Sequence, residues 1–224
     1  MSEVTGQLEA IAEEIRTALV AKHEARERVL RLSREVIRNS ANTIRAAHRR
    51  EFDKAGELLA AARARVEEME QAVQGHSDIR YAGYVDDAQK EFAEASLTVA
   101  FATGTSVPTP AQLKVANAPY LNGLGEAAGE LRRYLLDALR RGEMARCEEL
   151  LSHMDDIYNV LVTMDFPDAL TGGLRRTTDM VRGVLERTRG DLTMSISQSR
   201  LEEKLGLLGQ QLQGKNRERG NTSR

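Results

Sequence analysis

An all-α fold is predicted by three features of the sequence. Ala, Leu, Glu and Arg dominate, runs of β-branched residues are few, and the 224 residues include only four Pro. Apolar residues recur at the helical period over long stretches. A hydrophobic content of 41% in a chain of this length is enough for one sizeable core.

The first element is a long helix from Glu3 to about Arg50, a stretch with no Pro and with Gly6 as its only Gly. Ile11, Ile15, Leu19, Val29, Leu32, Val36, Ile37 and Ile44 gather on one side and are its expected core face. Stepping by 100° per residue, Arg28, Arg31, Arg34, Arg38, Arg45 and Arg49 fall within an arc of roughly 120° on the opposite side. Between Arg16 and Arg50 there are ten Lys or Arg against three Glu. Solvated helix faces usually mix signs, whereas this one is nearly all Arg, a residue that clamps phosphates bidentately. A polyanion such as nucleic acid is the partner that such a stripe fits.

A second helix follows from Phe52 to Val73, ended by Gly75 and the segment His76 to Ile79, where Ser77 or Asp78 is placed to cap the next helix. That third helix, Tyr81 to Ala102, carries Glu91 and Glu94 on one face, because residues three apart are side-chain neighbours. Phe92, Ala95, Leu97, Val99, Ala100 and Phe101 make most of its remaining surface apolar, as in a bundle interior. Buried carboxylates cost several kcal/mol unless a cation or hydrogen-bond donors satisfy them, so the pair needs a partner. Arg or Lys on a neighbouring helix is one candidate and a metal ion is another.

After a break at Thr103 to Thr109, Thr109 and Pro110 begin a short helix through Val115. Pro119 opens the next helix, to about Arg141, in which Glu126 and Glu130 stand among Gly123, Gly125, Ala127, Ala128 and Gly129. Such small residues permit close approach of another backbone. If this helix faces the third, Glu91, Glu94, Glu126 and Glu130 supply the hard oxygen ligands that Mg²⁺ or Mn²⁺ prefers. The spacing alone is not specific, since Glu67 and Glu70 repeat it. Gly142 separates a helix from Glu143 to Met164, and a last one spans about Asp168 to Arg189, interrupted by Gly172, Gly173 and Gly183. The expected organisation is a single domain over residues 1–190 and a polar tail over 191–224, disordered from Gly214 onward.

Formal net charge is −2, so charge distribution rather than overall charge argues for an anionic partner. The lone Cys147 forms no internal disulfide. With no basic start followed by an apolar run, and no apolar stretch of membrane-spanning length, a cytoplasmic protein without membrane association is expected.

Several segments in order resemble one family. RVLRLSREVIRNSANTIRAAHR, Arg28 to Arg49, looks like the first-helix signature of the translin superfamily. KEFAEA, Lys90 to Ala95, is similar to the Gln-Glu-Tyr-Val-Glu-Ala segment of its translin-associated factor X branch. NGLGEAAGELRRY resembles that branch's Gly-Val-Ala-Asp-Leu-Thr-Gly-Glu-Leu, and Asp156-Ile-Tyr-Asn159 its Val-Tyr-Asp region. The resemblance covers about Ala21 to Arg189 and implies a seven-helix-type antiparallel bundle assembling into a closed octamer around RNA. It further implies a divalent-metal endoribonuclease site at Glu91, Glu94 and Glu126, with Glu130 matching a neighbouring acid. Translin itself lacks acids at the positions of Glu91 and Glu94. Glu126 stands where factor X has Asp, one methylene shorter. The expected activity is therefore Mg²⁺- or Mn²⁺-dependent cleavage of single-stranded or short RNA. A translin-like, non-catalytic RNA- or DNA-binding scaffold is the alternative, and a di-iron carboxylate bundle is disfavoured because neither acidic pair has the Glu-x-x-His offset.

Overall fold

Breaker residues and caps, more than propensity, decide where this helical chain turns. In a computed structural model residues 3–221 are described, with side chains described over 4–210. Helix α1 (Glu3–His48) ends where Arg50 takes a left-handed φ of 61°, and three residues lead into α2 (Phe52–Ala72), which packs back on it. Ser77–Arg80 forms a separate turn, α3, and Ala82 is extended, so α4 (Gly83–Thr103) starts two residues later than expected. Neither Ser77 nor Asp78 caps it, because Tyr81 and Ala82 intervene. The expected cap at Thr109 is present as a reciprocal box with Gln112 on the single turn α5 (Pro110–Leu113), which stops short of Val115 at Lys114, φ 56°.

Helix α6 (Asn117–Arg140) contains Pro119 in its first turn, and α7 (Met144–Val162) follows the left-handed Gly142. The turn α8 (Asp168–Thr171) is divided from α9 (Leu174–Asn221) by Gly172 and Gly173, at φ 61° and 83°, conformations in which a side chain is strained. Gly183 does not interrupt α9. The bundle thus consists, among the described residues, of six long helices and three single turns, with no strand.

Helices α4 and α6 form the central pair, α4 against α1 and α2 on one side, α6 against α7 and α9 on the other. Phe92, Leu97, Leu131, Leu135, Leu150 and Met154 are fully buried between these layers. Two expectations about the ends are corrected. Ile11, Ile15 and Leu19 are more than half exposed, because α1 meets its neighbours only from about Ala25 and Val29 onward. Residues past 190 keep the polar composition expected of them but continue α9, in which Leu192 is buried and Ile196 packs on the core, while 197–210 are exposed. Beyond it Leu201, Leu205 and Leu208 lie exposed. Of the segment from Gly214 expected to be disordered, the backbone is helical to Asn221, and residues 222–224 lie outside the described residues.

Candidate metal centre and arginine face

The site is made by the close approach of α4 and α6. A Cβ added at Gly123 would lie 2.7 Å from the Lys90 carbonyl oxygen and 2.9 Å from both the Ala93 Cβ and the Glu94 backbone nitrogen. Only a residue without a side chain lets α6 lie this near α4. Glu126, one turn beyond Gly123 and on the same face, is thereby carried to the Glu91–Glu94 pair. One carboxylate oxygen from each of the three lies within 4.8 Å of the other two. Glu91 and Glu126 are about two-thirds covered, whereas Glu94 is only 8% exposed and makes no hydrogen bond or ion pair with any described residue.

Electrostatically the three acids are under-compensated. Burial first, then the negative charges of Glu126, Glu91 and Glu130, push the Glu94 carboxyl up to about 8, against a smaller opposing effect of Lys90. The Lys90 ammonium lies 2.8 Å from Glu126 Oε1 and 3.4 Å from Glu91 Oε1. Burial pulls Lys90 down, but its bond to Glu126 and the charges of both acids outweigh that and leave it raised. Three converging, largely desolvated carboxylates with one unpaired member fit a hard divalent cation, both in donor chemistry and in the charge they lack.

Glu130 does not join this set. It stands one turn farther along α6, where its carboxylate bonds Nε2 of His48 from α1, a histidine 5% exposed. That bond, followed in effect by the charges of His48 and Arg133, holds Glu130 below the usual carboxylate range in spite of burial. Of the four carboxylates expected together, three converge and Glu130 stands beside them, held by His48. Sequence reasoning missed both Lys90 and His48. Lys90 carried a signal, a cation directly preceding the first acid; His48 carried none, since its contact spans 82 positions.

A cleft of about 630 Å³ opens beside the acids, lined in part by Lys90, Glu126, Asn122, Arg175 and Arg176. Cys147, by contrast, is buried away from it and its thiol is pushed up, first by burial. On α1 all six arginines of the stripe are exposed. Arg28, Arg31, Arg34 and Arg38 make no ion pair with any described residue; Arg45 donates to Asn42, and Arg49 is tied to Glu51.

The pKa of Glu94 gives a signed expectation for the metal-free protein. Its carboxyl is raised above its unfolded value near 4.5, so the stability associated with the proton is fully present below that pH and is lost as pH rises through about 8. Thermal melts of parent and Glu94→Gln in EDTA should coincide near pH 5. By pH 9 the variant should be more stable by about 1–3 kcal/mol. Parallel curves across that range would mean that Glu94 ionises without cost.

No family model matches the chain. It is 32% identical over 193 residues to an uncharacterised protein of Methanocaldococcus jannaschii, covering 84% of this chain and 83% of that one. Among solved structures it is similar to AfC3PO, with TM-score 0.77 and 32% identity over 83% of this chain and 97% of that one. It is similar also to AfC3PO in complex with duplex RNA, at TM-score 0.72 and 31% identity over 83% and 96%. Apo-NeC3PO, at 19% identity and TM-score 0.70 over 84% and 96%, shares the fold. AfC3PO and NeC3PO are assemblies of the translin and factor X type, and with a third of its residues identical to AfC3PO over nearly the whole of that chain, this protein belongs to the translin superfamily.

Proposed function

We propose that the protein binds RNA and cleaves it as a divalent-metal-dependent endoribonuclease. The observation that carries this reading is Glu94, a nearly buried carboxyl with no partner of its own among the described residues, beside Glu91 on α4 and facing Glu126 across the α4–α6 contact. A structural acid so placed is ordinarily given a cation or donors. Glu91, Glu94 and Glu126 would hold Mg²⁺ or Mn²⁺. When bound, such an ion polarises a phosphoryl oxygen, lowers the pKa of water and stabilises the leaving oxygen. One of these carboxylates also orients the attacking water, and Glu126 is the one of the three that lines the cleft. No Ser, Cys or Lys sits in an activated arrangement, so water is the nucleophile. The unpaired arginines of α1 supply phosphate contacts, in keeping with the duplex RNA bound by AfC3PO.

A scaffold reading has one observation in its favour, the Lys90 ammonium already lying on two of the acids. Labelled single-stranded and duplex RNA incubated with the purified protein in Mg²⁺, Mn²⁺ or EDTA separates the two. Products ending within the strand in the metal lanes alone are expected. Binding without cleavage in every lane would leave the scaffold.

Assembly into a closed octamer is part of the same proposal. Ile11, Ile15 and Leu19 on α1, and Phe166 and Leu170 before α9, are large apolar side chains left more than half exposed in one chain, as subunit contacts would be. Light scattering is expected to give a mass of about eight chains, and a stable monomer at micromolar concentration would refute it. Among the described residues no helix is long and apolar enough to cross a membrane. A cytoplasmic location is proposed from the sequence.

A further inference from the structure

We propose that Lys90 is a tethered counter-cation of the metal site: in the metal-free protein its ammonium neutralises Glu126 and Glu91, and a divalent ion binds by displacing it into the adjoining cleft. This rests on the metal reading of the same three acids. Lys90 Nζ is 2.8 Å from Glu126 Oε1 and 3.4 Å from Glu91 Oε1, and those carboxylates are two of the three that converge. An ammonium in that position and a divalent cation held by the same carboxylates would be like charges at contact distance in a half-buried site, where screening is weak. Both cannot stay.

The route out is visible. Lys90 is three-quarters covered, yet it lines the 630 Å³ cleft together with Arg175 and Arg176, and its four-carbon stem lets the head group move without moving α4. Asp86, Asp87, Asp168 and Asp179 line the same cleft and are acids open to it there in the absence of substrate, Asp86 being shared with Arg80. A phosphodiester entering the cleft offers the ammonium a better partner, with Arg176, which forms no ion pair with any described residue, beside it. Substrate that draws Lys90 off Glu126 thereby favours the metal, and by linkage the metal favours substrate to the same extent. Lys90 acts here through the ligands, as a positioning residue that makes metal and RNA binding cooperative.

Calorimetric titration of the metal-free full-length protein with Mn²⁺ tests this, alone and in the presence of a short phosphorothioate RNA that resists cleavage. Lys90→Met keeps the stem and removes the charge. It should bind Mn²⁺ at least about tenfold more tightly than the parent without RNA, since its ligands are no longer occupied. The RNA should tighten Mn²⁺ binding several-fold in the parent and little in the variant. Metal-free Lys90→Met should also melt below the parent and gain more from Mn²⁺. Lys90→Gln, which can still donate to a carboxylate, provides the same comparison where the Met variant folds poorly. Tight Mn²⁺ binding by a variant whose parent binds none would support the competition in its extreme form. Equal or weaker Mn²⁺ binding by the variants, with the parent binding normally, would overturn the role of Lys90 and leave the metal site intact. No Mn²⁺ binding by any of the folded proteins would overturn the metal reading and this proposal together.

Discussion

RNA cleavage by Glu94→Gln should fall at least about 10²-fold below the parent, with folding and RNA binding retained, because several kcal/mol of metal-borne charge stabilisation are removed. Structural and catalytic roles for this residue predict opposite effects on stability. Were Glu94 half of a buried salt bridge, the Gln substitution would strand an Arg or Lys and cost about 3–5 kcal/mol. Its carboxyl makes no ion pair with any described residue, and the charges around it are chiefly other carboxylates. Removing its charge therefore relieves repulsion, and the metal-free variant should be as stable as the parent or more so. Glu91→Gln should lose cleavage to a similar degree, but since Glu91 faces the Lys90 ammonium at 3.4 Å, no gain in stability is expected from it. Both variants should lose the thermal stabilisation that Mg²⁺ or Mn²⁺ gives the parent. Cleavage by Glu94→Gln at the parent's rate, or its unfolding where the parent survives, would defeat the assignment.

How far the sequence foretold this site depends on the range over which each interaction acts. Glu91 and Glu94 were legible as a pair because i and i+3 are neighbours on any helix. The glycines around Glu126 foretold a close helix contact, and Gly123 provides it, at a spacing no side chain would tolerate. Glu130 looked equivalent to Glu126 by local spacing. A histidine 82 residues away decides that it is not, and no periodicity encodes such a contact. Lys90 was in view beside Glu91, but only the placement of α6 shows that its ammonium also reaches Glu126.

Helix positions were similarly readable wherever a local signal fixed them, as with the Thr109–Gln112 box and the left-handed Gly142, Gly172 and Gly173. The start of α4 was misread because Ser77 and Asp78 are good capping residues that start a different, single turn. Apolar period alone also cannot say where a helix stops having neighbours. Ile11, Ile15 and Leu19 continue the face that buries Val29, Leu32 and Val36, and yet among the described residues of one chain they stay more than half exposed. The basic face was legible for a simpler reason: charge of one sign on the outer side of a helix requires no tertiary contact to exist.

The strongest effect on binding is expected from that face. Replacing Arg34, Arg38 and Arg45 by Ala should weaken RNA affinity by roughly 10–10²-fold near physiological salt and flatten its salt dependence, since each lost phosphate contact removes about 0.7–0.9 from the slope of log K against log salt. All three side chains are exposed; Arg34 and Arg38 have no acidic partner among the described residues, and Arg45 has only the neutral Asn42. Their removal leaves no buried acid unpaired, and Ala is the better helix former, so the helical circular dichroism spectrum should be unchanged. Arg49 provides a graded comparison within the same stripe. Its guanidinium is engaged by both oxygens of Glu51, so RNA must compete for it, and Arg49→Ala should cost less affinity than loss of either free arginine. Fluorescence anisotropy with a labelled RNA across a salt series measures both quantities. An unchanged affinity and slope in the triple variant would show the stripe to be a solvated face. A changed affinity with an unchanged slope would show that these arginines act through the fold rather than on phosphate.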